Sequence, residues 1–115
     1  LDVHALVGLD SSDEYDGVYW GSADGSKYVA GIQVWRPRSP IEAQRRYTQM
    51  VRSYPNAEET TAVTNKTFLA YWNDFIYLAF FDSGKQAVVS LTCHRKMCDS
   101  PQKLMQLATT VKERL

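Results

Sequence analysis

The chain has 115 residues, with thirteen basic and thirteen acidic side chains and a formal net charge of zero. This length fits one domain with a single hydrophobic core. A balanced charge lacks the excess of Lys and Arg that non-specific nucleic-acid binding requires, and no apolar run approaches the roughly 18 residues that span a bilayer. Neither a nucleic-acid partner nor a transmembrane segment is therefore expected.

The N-terminal part is predicted to lie outside the folded domain. Residues 1–17 form an N-terminal segment that ends in the acidic loop DSSDEYDG, and a single α+β domain is predicted over residues 18–115. The domain opens with a hairpin, because two runs of β-forming residues flank the sequence ADGS. The Asp-Gly pair in that sequence supplies the positive φ that a tight turn needs.

Two helices are predicted, and each begins at a Ser-Pro pair. Ser39-Pro40 and Ser100-Pro101 place a capping hydroxyl before a proline at the first helical position, where its missing N–H costs nothing. The first helix is predicted to run from Pro40 to about Tyr54, and the last one to the end of the sequence. In both, apolar residues recur at three- and four-residue spacing, which predicts one buried stripe per helix. The predicted stripe of the first helix comprises Ala43, Tyr47, Met50, Val51 and Tyr54.

Three more strands are predicted between the helices, over residues 60–72, 75–82 and 86–93. The pairs at 73–74 and 83–84 are interpreted as two-residue turns, and short turns make the strands antiparallel neighbours. The element order is then β-β-α-β-β-β-α. This is the α+β class, with an antiparallel sheet of about five strands and helices packed on it.

The predicted turns set Trp72 opposite Phe75 and Phe80 opposite Ala87, and alternation along the strands then separates two faces. We expect both helices to cover the aliphatic face. That face comprises Leu69, Tyr71, Ile76, Leu78, Phe80, Ala87, Val89, Leu91 and Cys93. The aromatic face comprises Phe68, Ala70, Trp72, Phe75, Tyr77, Ala79, Phe81, Val88, Ser90 and Thr92.

The aromatic face allows two interpretations. It is buried as well, either under the N-terminal segment or by one helix on each side of the sheet, as apolar residues usually are. Alternatively, it is an exposed patch, which on a single chain marks a surface for a partner or a ligand. In that case the predicted partner contacts are Trp72, Phe75, Tyr77 and Phe68, with Trp35 at the edge, and the hairpin tip has a shape suited to a partner's groove.

Both cysteines lie in the stretch LTCHRKMC at 91–98. A disulfide between Cys93 and Cys98 would close the connection from the last strand to the last helix, and is favoured over two free buried thiols. A redox pair is a further alternative, because Cys98 precedes a helix start. With His94 only three zinc ligands cluster here, so no metal site is predicted. A disulfide implies an oxidising compartment: the periplasm, the exterior, or a membrane-anchored position at the cell surface.

The sequence around the first helix is locally basic. Arg45 and Arg52 are seven residues apart and share a helix face, where a small anion or an acidic partner would dock. A solvated face with ion pairs such as Glu42 to Arg46 is the favoured interpretation.

The sequences GIQVWRPRSPIEAQRRYTQM and SPQKLMQLATTVKERL, separated by three meander strands, resemble small bacterial extracytoplasmic domains of the PsbP/Mog1 type, including lipoprotein modules. The resemblance covers residues 18–115 and implies an antiparallel sheet with helices packed on it and a non-enzymatic accessory or binding role. Helices on both faces would then bury part of the aromatic face. No functional residue is carried over from the resemblance.

No catalytic motif is present, whether Gly-x-Ser-x-Gly, a Gly-rich phosphate loop or His-Glu-x-x-His, so neither catalytic residues nor a cofactor are predicted. The sequence therefore favours a non-enzymatic extracytoplasmic accessory or protein-binding module that acts through a protein partner or self-association. A small-ligand carrier with an aromatic pocket between sheet and helix is the alternative, and a thiol-redox protein is less favoured.

Overall fold

A computed structural model describes residues 15–21, 28–96, 98 and 100–115. The predicted α+β class is confirmed, and the predicted element order is confirmed except for one additional strand between the helices. The turn predicted at 23–26 and most of the acidic loop lie outside the described residues. The elements are β1 (Tyr15–Gly21), β2 (Tyr28–Trp35), α1 (Pro40–Ser53), β3 (Glu58–Thr60), β4 (Lys66–Trp72), β5 (Phe75–Asp82), β6 (Ala87–His94) and α2 (Pro101–Arg114).

The strands form one antiparallel sheet in the order β1-β2-β6-β5-β4-β3. It has six described strands because the strand predicted over residues 60–72 is two strands, β3 and β4. Between them the Thr64 N–H donates to Thr67 Oγ1 at 3.0 Å, and the Thr67 hydroxyl donates to the Thr64 carbonyl at 2.9 Å. Such local side-chain bonds compete with the ladder and take the chain out of it.

The predicted β4–β5 register is confirmed. Trp72 pairs with Phe75 and Ala70 pairs with Tyr77 across a two-residue turn. Asn73 in that turn has φ +51°, a left-handed conformation that asparagine adopts more readily than most residues.

The predicted two-residue turn between β5 and β6 is wrong. Asp82, rather than Phe80, pairs with Ala87, so the connection has four residues. Gln86 closes it with φ +51°, while its side-chain amide donates to the Pro37 carbonyl at 2.7 Å. The register moves by two residues, and a shift of two leaves every side chain on its predicted face.

The helices lie on opposite faces of the sheet, so the expectation that both cover the aliphatic face is wrong. The aliphatic face packs against α2 through Leu104, Ala108 and Val111, and the aromatic face packs against α1 through Ala43 and Tyr47. A sheet that is apolar on both faces needs a covering layer on each. Neither of these two described helices is long and apolar enough to cross a membrane.

The predicted helix starts are confirmed in position, with different capping. The Ser39 hydroxyl accepts a hydrogen bond from the Glu42 N–H at 3.1 Å, with Pro40 in the first turn. Ser100 also occupies the N-cap position of α2, but its side chain makes no capping bond.

The predicted disulfide between Cys93 and Cys98 is confirmed. Cys93 is fully buried and Cys98 is 6% exposed, so the bond belongs to the core on the α2 side. Two backbone bonds fix the loop that it closes: the Cys98 N–H donates to the His94 carbonyl at 2.9 Å, and the Arg95 N–H donates to the Asp74 carbonyl at 2.8 Å. The disulfide loop is therefore joined to the β4–β5 turn.

Candidate partner-binding site

Among the described residues, α1 does not cover the aromatic face along its whole length. Helix α1 ends at Ser53, and past it Tyr54 turns back over the sheet. Tyr54, Tyr77, Phe75 and Thr92 are all half-buried and line a cavity of about 180 Å³. We refer to these four residues as the aromatic pocket.

Ring contacts hold the walls of the aromatic pocket in place. The Tyr54 and Tyr77 rings stack with centroids 4.6 Å apart, and Tyr77 rests on Phe68 at 5.8 Å. On the other side the Phe75 ring meets the His94 ring edge-on at 5.1 Å. His94 is itself oriented by a hydrogen bond from the Lys96 N–H to its Nδ1 at 3.1 Å. The pocket is therefore preorganised by packed aromatic rings.

The chemistry of the aromatic pocket is apolar, with a few hydroxyl groups. Burial raises the pKa of Tyr54, while a hydrogen bond with Tyr77 acts in the opposite direction. A raised phenol pKa keeps the hydroxyl neutral at physiological pH. None of the four lining residues is a carboxylate, an amine or an imidazole. The lining of the pocket is therefore aromatic and uncharged.

Phe68, one of the predicted partner contacts, is fully buried. Its ring lies 5.7 Å from Tyr47 and 6.0 Å from Tyr54, beneath α1. For this residue the buried interpretation of the aromatic face is confirmed, and Phe68 supports the aromatic pocket from below instead of meeting a partner.

Trp35 and Phe75 lie at opposite ends of the aromatic face. Trp35 pairs with Val88 and Phe75 pairs with His94. Six residues along β6 separate those rows, or about 20 Å at the rise of an antiparallel strand. Trp35 therefore packs beside α1 and does not border the pocket. The Trp72 side chain lies outside the described part of the structure.

Three residues of the site were not among the predicted contacts. Tyr54 was assigned to the buried stripe of the first helix, Thr92 to the aromatic face, and His94 to the cysteine stretch. The small residues Ala70, Thr92 and Gly31 occupy one row across the sheet with Tyr77. Small side chains beside a large ring leave room for a pocket, and this pattern is the sequence signal that could have indicated it.

A second, larger cavity of about 460 Å³ lies at the far end of the sheet, between the β3–β4 and β5–β6 connections. Two of its three charged side chains, those of Lys112 and Asp82, have hydrogen-bond partners. The Lys112 ammonium donates to the Val63 carbonyl at 3.2 Å, and the Asp82 carboxylate accepts from the Lys85 N–H at 3.2 Å. Within the described residues, no group of three His, Cys, Asp or Glu is placed to hold a metal ion.

Because of Tyr47, we expect the protein to lose stability at alkaline pH. Its hydroxyl is 3.5 Å from Glu59 Oε1, to which it donates, and burial followed by the Glu59 charge raises its pKa to about 12. The unfolded chain ionises near pH 10, so the free energy of unfolding falls as the pH rises from about 10 to 12. Tyr47→Phe should lose less stability over this interval. Urea denaturation at pH 9 and pH 11 measures both proteins, and equal losses would contradict the assignment.

Comparisons with protein-family models, with curated proteins and with solved structures give no significant match. The PsbP/Mog1 resemblance therefore stays a prediction.

Proposed function

We propose that the protein is a non-enzymatic, extracytoplasmic binding module that holds an apolar side chain of a partner protein in the aromatic pocket. The observation that carries the proposal is an open cavity of about 180 Å³ whose walls are packed aromatic rings. Binding energy at protein interfaces concentrates where an anchor side chain enters such a preformed pocket. Fixed walls also limit the entropy lost on binding.

The size of the aromatic pocket favours a protein partner over the alternative, a small-ligand carrier. Pockets that enclose small molecules usually measure about 300 to 1,000 Å³ and bury most of the ligand. A cavity of about 180 Å³ holds one side chain, while the rest of a partner lies on the surrounding surface. Asp74, which follows Asn73 in the turn beside Phe75, and Lys96, whose N–H donates to the His94 ring, are exposed and are the polar residues proposed for such contacts.

The compartment is proposed from the Cys93–Cys98 disulfide. Disulfides persist in the periplasm and outside the cell and are rare in the cytosol. The bond is also close to the aromatic pocket, because the loop it closes carries His94, whose ring contacts Phe75. An oxidising compartment thus supports the shape of the pocket as well as the fold.

A peptide selection tests the proposal. Random peptides displayed on phage are selected on the native, oxidised protein, and the Kd of each selected peptide is measured by fluorescence anisotropy. We expect peptides with an aromatic or aliphatic anchor. Phe75→Ala should raise the Kd of these peptides by about 5- to 30-fold, the effect of truncating a residue that contributes roughly 1 to 2 kcal/mol to an interface.

Tyr71→Ala is the matched control for Phe75→Ala. Tyr71 is a half-buried aromatic residue of the same hairpin, but it lies on the other face, where its ring contacts Arg95. Peptides that bind Phe75→Ala as tightly as the native protein would rule out the pocket. A stoichiometric small molecule in the native mass spectrum of the purified protein, lost from Phe75→Ala, would instead favour the carrier.

A further inference from the structure

The zero net charge conceals an uneven distribution along the chain. Twelve of the thirteen basic residues lie in residues 28–115, which hold only seven of the thirteen acidic ones. The folded body therefore carries a net positive charge that the whole-chain value does not show. Charge asymmetry of this kind is a signature of binding to an anionic surface.

Helix α1 presents part of this charge on the side that faces away from the sheet. Ile41, Arg45, Thr48 and Arg52 recur at spacings of four, three and four residues, and all four are exposed. This spacing places them on one helix face, opposite the buried Ala43 and Tyr47. We refer to these four exposed residues as the outer stripe.

The arginines of the outer stripe are not used inside the fold. Arg46, one position along, has an ion pair with Glu42 at 3.8 Å. Arg45, Arg52 and the exposed Arg38 just before the helix have no carboxylate partner among the described residues. Three guanidinium groups are thus left to meet an external anion.

Ile41 distinguishes the outer stripe from an ordinary solvated face. It is 72% exposed and is the exposed large hydrophobic residue of the described chain. It lies between Arg38 and Arg45. An apolar side chain set among cations is the composition of surfaces that lie in the membrane interface, where the apolar group enters the acyl boundary and the cations remain at the headgroups.

We infer that the outer stripe, with Arg38, docks the protein on a membrane of anionic phospholipids. A helix exposed along its outer side is convex, and the two cavities described above are lined by other residues. A plane fits such a surface. The stripe from Ile41 to Arg52 is about 16 Å long at the helical rise, and guanidinium groups bind phosphate oxygens bidentately.

The expected affinity follows from the number of cations. Each Lys or Arg near an anionic membrane contributes roughly a fivefold increase in the partition coefficient, so three arginines contribute roughly 100-fold. The interaction falls off within a Debye length and weakens in salt. Docking should therefore be reversible and dependent on the anionic lipid.

Vesicle co-sedimentation of the oxidised protein tests the inference. The vesicles are phosphatidylcholine alone, or phosphatidylcholine with one third phosphatidylglycerol, at low and high salt. We expect binding only to the mixed vesicles, reduced by salt. Arg38→Gln/Arg45→Gln/Arg52→Gln should lower it by roughly 100-fold, and Ile41→Ser should lower the part that survives in salt.

A variant with the same charge change elsewhere is the control. Lys85→Gln/Lys103→Gln/Arg114→Gln also removes three exposed cations, but none belongs to α1. It should keep most of the vesicle binding. Equal losses in the two triple variants, or no binding of the native protein to either vesicle, would overturn the inference. In the second case an acidic protein is the remaining partner for the stripe. Phe75→Ala should bind vesicles normally, so this test is independent of the aromatic pocket.

Discussion

Phe68→Ala is expected to lower the free energy of unfolding by about 3 to 5 kcal/mol, the usual cost of removing a fully buried phenylalanine ring. The ring of Phe68 has no exposed surface and lies within 6.0 Å of the rings of Tyr47, Tyr54 and Tyr77. These neighbours belong to α1, its C-terminal end and β5, so they cannot collapse together into the cavity. Urea denaturation followed by circular dichroism measures the change.

Phe75→Ala is the control for this prediction. Phe75 is only half-buried and lies at the open end of the aromatic face, so its removal should cost about 1 to 2 kcal/mol. The two substitutions should therefore have different effects: Phe68→Ala should lower mainly stability, and Phe75→Ala should lower mainly peptide affinity. A loss below about 1 kcal/mol for Phe68→Ala would contradict the packing of α1 on the aromatic face.

Phe68 and Phe75 show which features of the site can be predicted from the sequence. Alternation along β4 and β5 placed Phe68, Phe75 and Tyr77 on one face, and the pairing of Ala70 with Tyr77 confirms it. Strand alternation is local and does not say which helix covers which face. That depends on the path of the chain between strands that are consecutive in sequence but far apart in the sheet, such as β2 and β3, which α1 connects.

The errors in the strand connections come from side-chain hydrogen bonds. The predicted turn at 83–84 overlooked Gln86, whose left-handed conformation is held by a bond to Pro37, 49 residues away in sequence. Likewise, the break between β3 and β4 depends on the hydroxyl groups of Thr64 and Thr67. Both residues were predicted to lie within one continuous strand. Threonine favours strands by propensity. Thr67 stays in β4, but its side-chain bonds with Thr64 take Thr64 out of the ladder.

The pocket residue Tyr54 was assigned to a buried helix stripe because its spacing fits one. Its ring does lie over the sheet, but beyond the last helical residue, where it leaves one edge open. Burial patterns identify the residues that face a core and cannot identify the point at which the cover ends. The sequence therefore predicted the sheet face and the hairpin that carry the site. It did not predict the depth of the pocket or the wall that Tyr54 forms beyond the end of α1.

Removing the disulfide should affect both the fold and the aromatic pocket. Closing a loop of this length, with a sequence separation of 5, contributes about 2 kcal/mol in the chain-entropy model. Cys93 is fully buried, so Cys93→Ser/Cys98→Ser also places hydroxyl groups in an apolar cluster, and we expect a total loss of about 3 to 4 kcal/mol. Denaturation with urea, with and without reductant, measures it.

Cys93→Ala/Cys98→Ala separates the crosslink from the polarity of serine, because it removes the bond without burying hydroxyl groups. It should lose about 2 kcal/mol, and reductant should bring the native protein to a similar stability. Mass spectrometry after alkylation provides the test of the bond itself: both thiols of the native protein should resist alkylation until reduced. Immediate alkylation of both would remove the argument for an oxidising compartment.

The disulfide variants should also lose peptide affinity, and this effect connects the fold to the proposed function. The loop closed by the disulfide donates from Arg95 to the Asp74 carbonyl and carries the His94 ring against Phe75. Without the crosslink we expect the loop to be more mobile in the free protein, and ordering it on binding costs affinity. Without urea, where we expect the Ser and Ala double variants to remain folded, Cys93→Ala/Cys98→Ala should bind selected peptides several-fold more weakly than the native protein. Unchanged affinity would show that the pocket keeps its shape through its aromatic contacts alone.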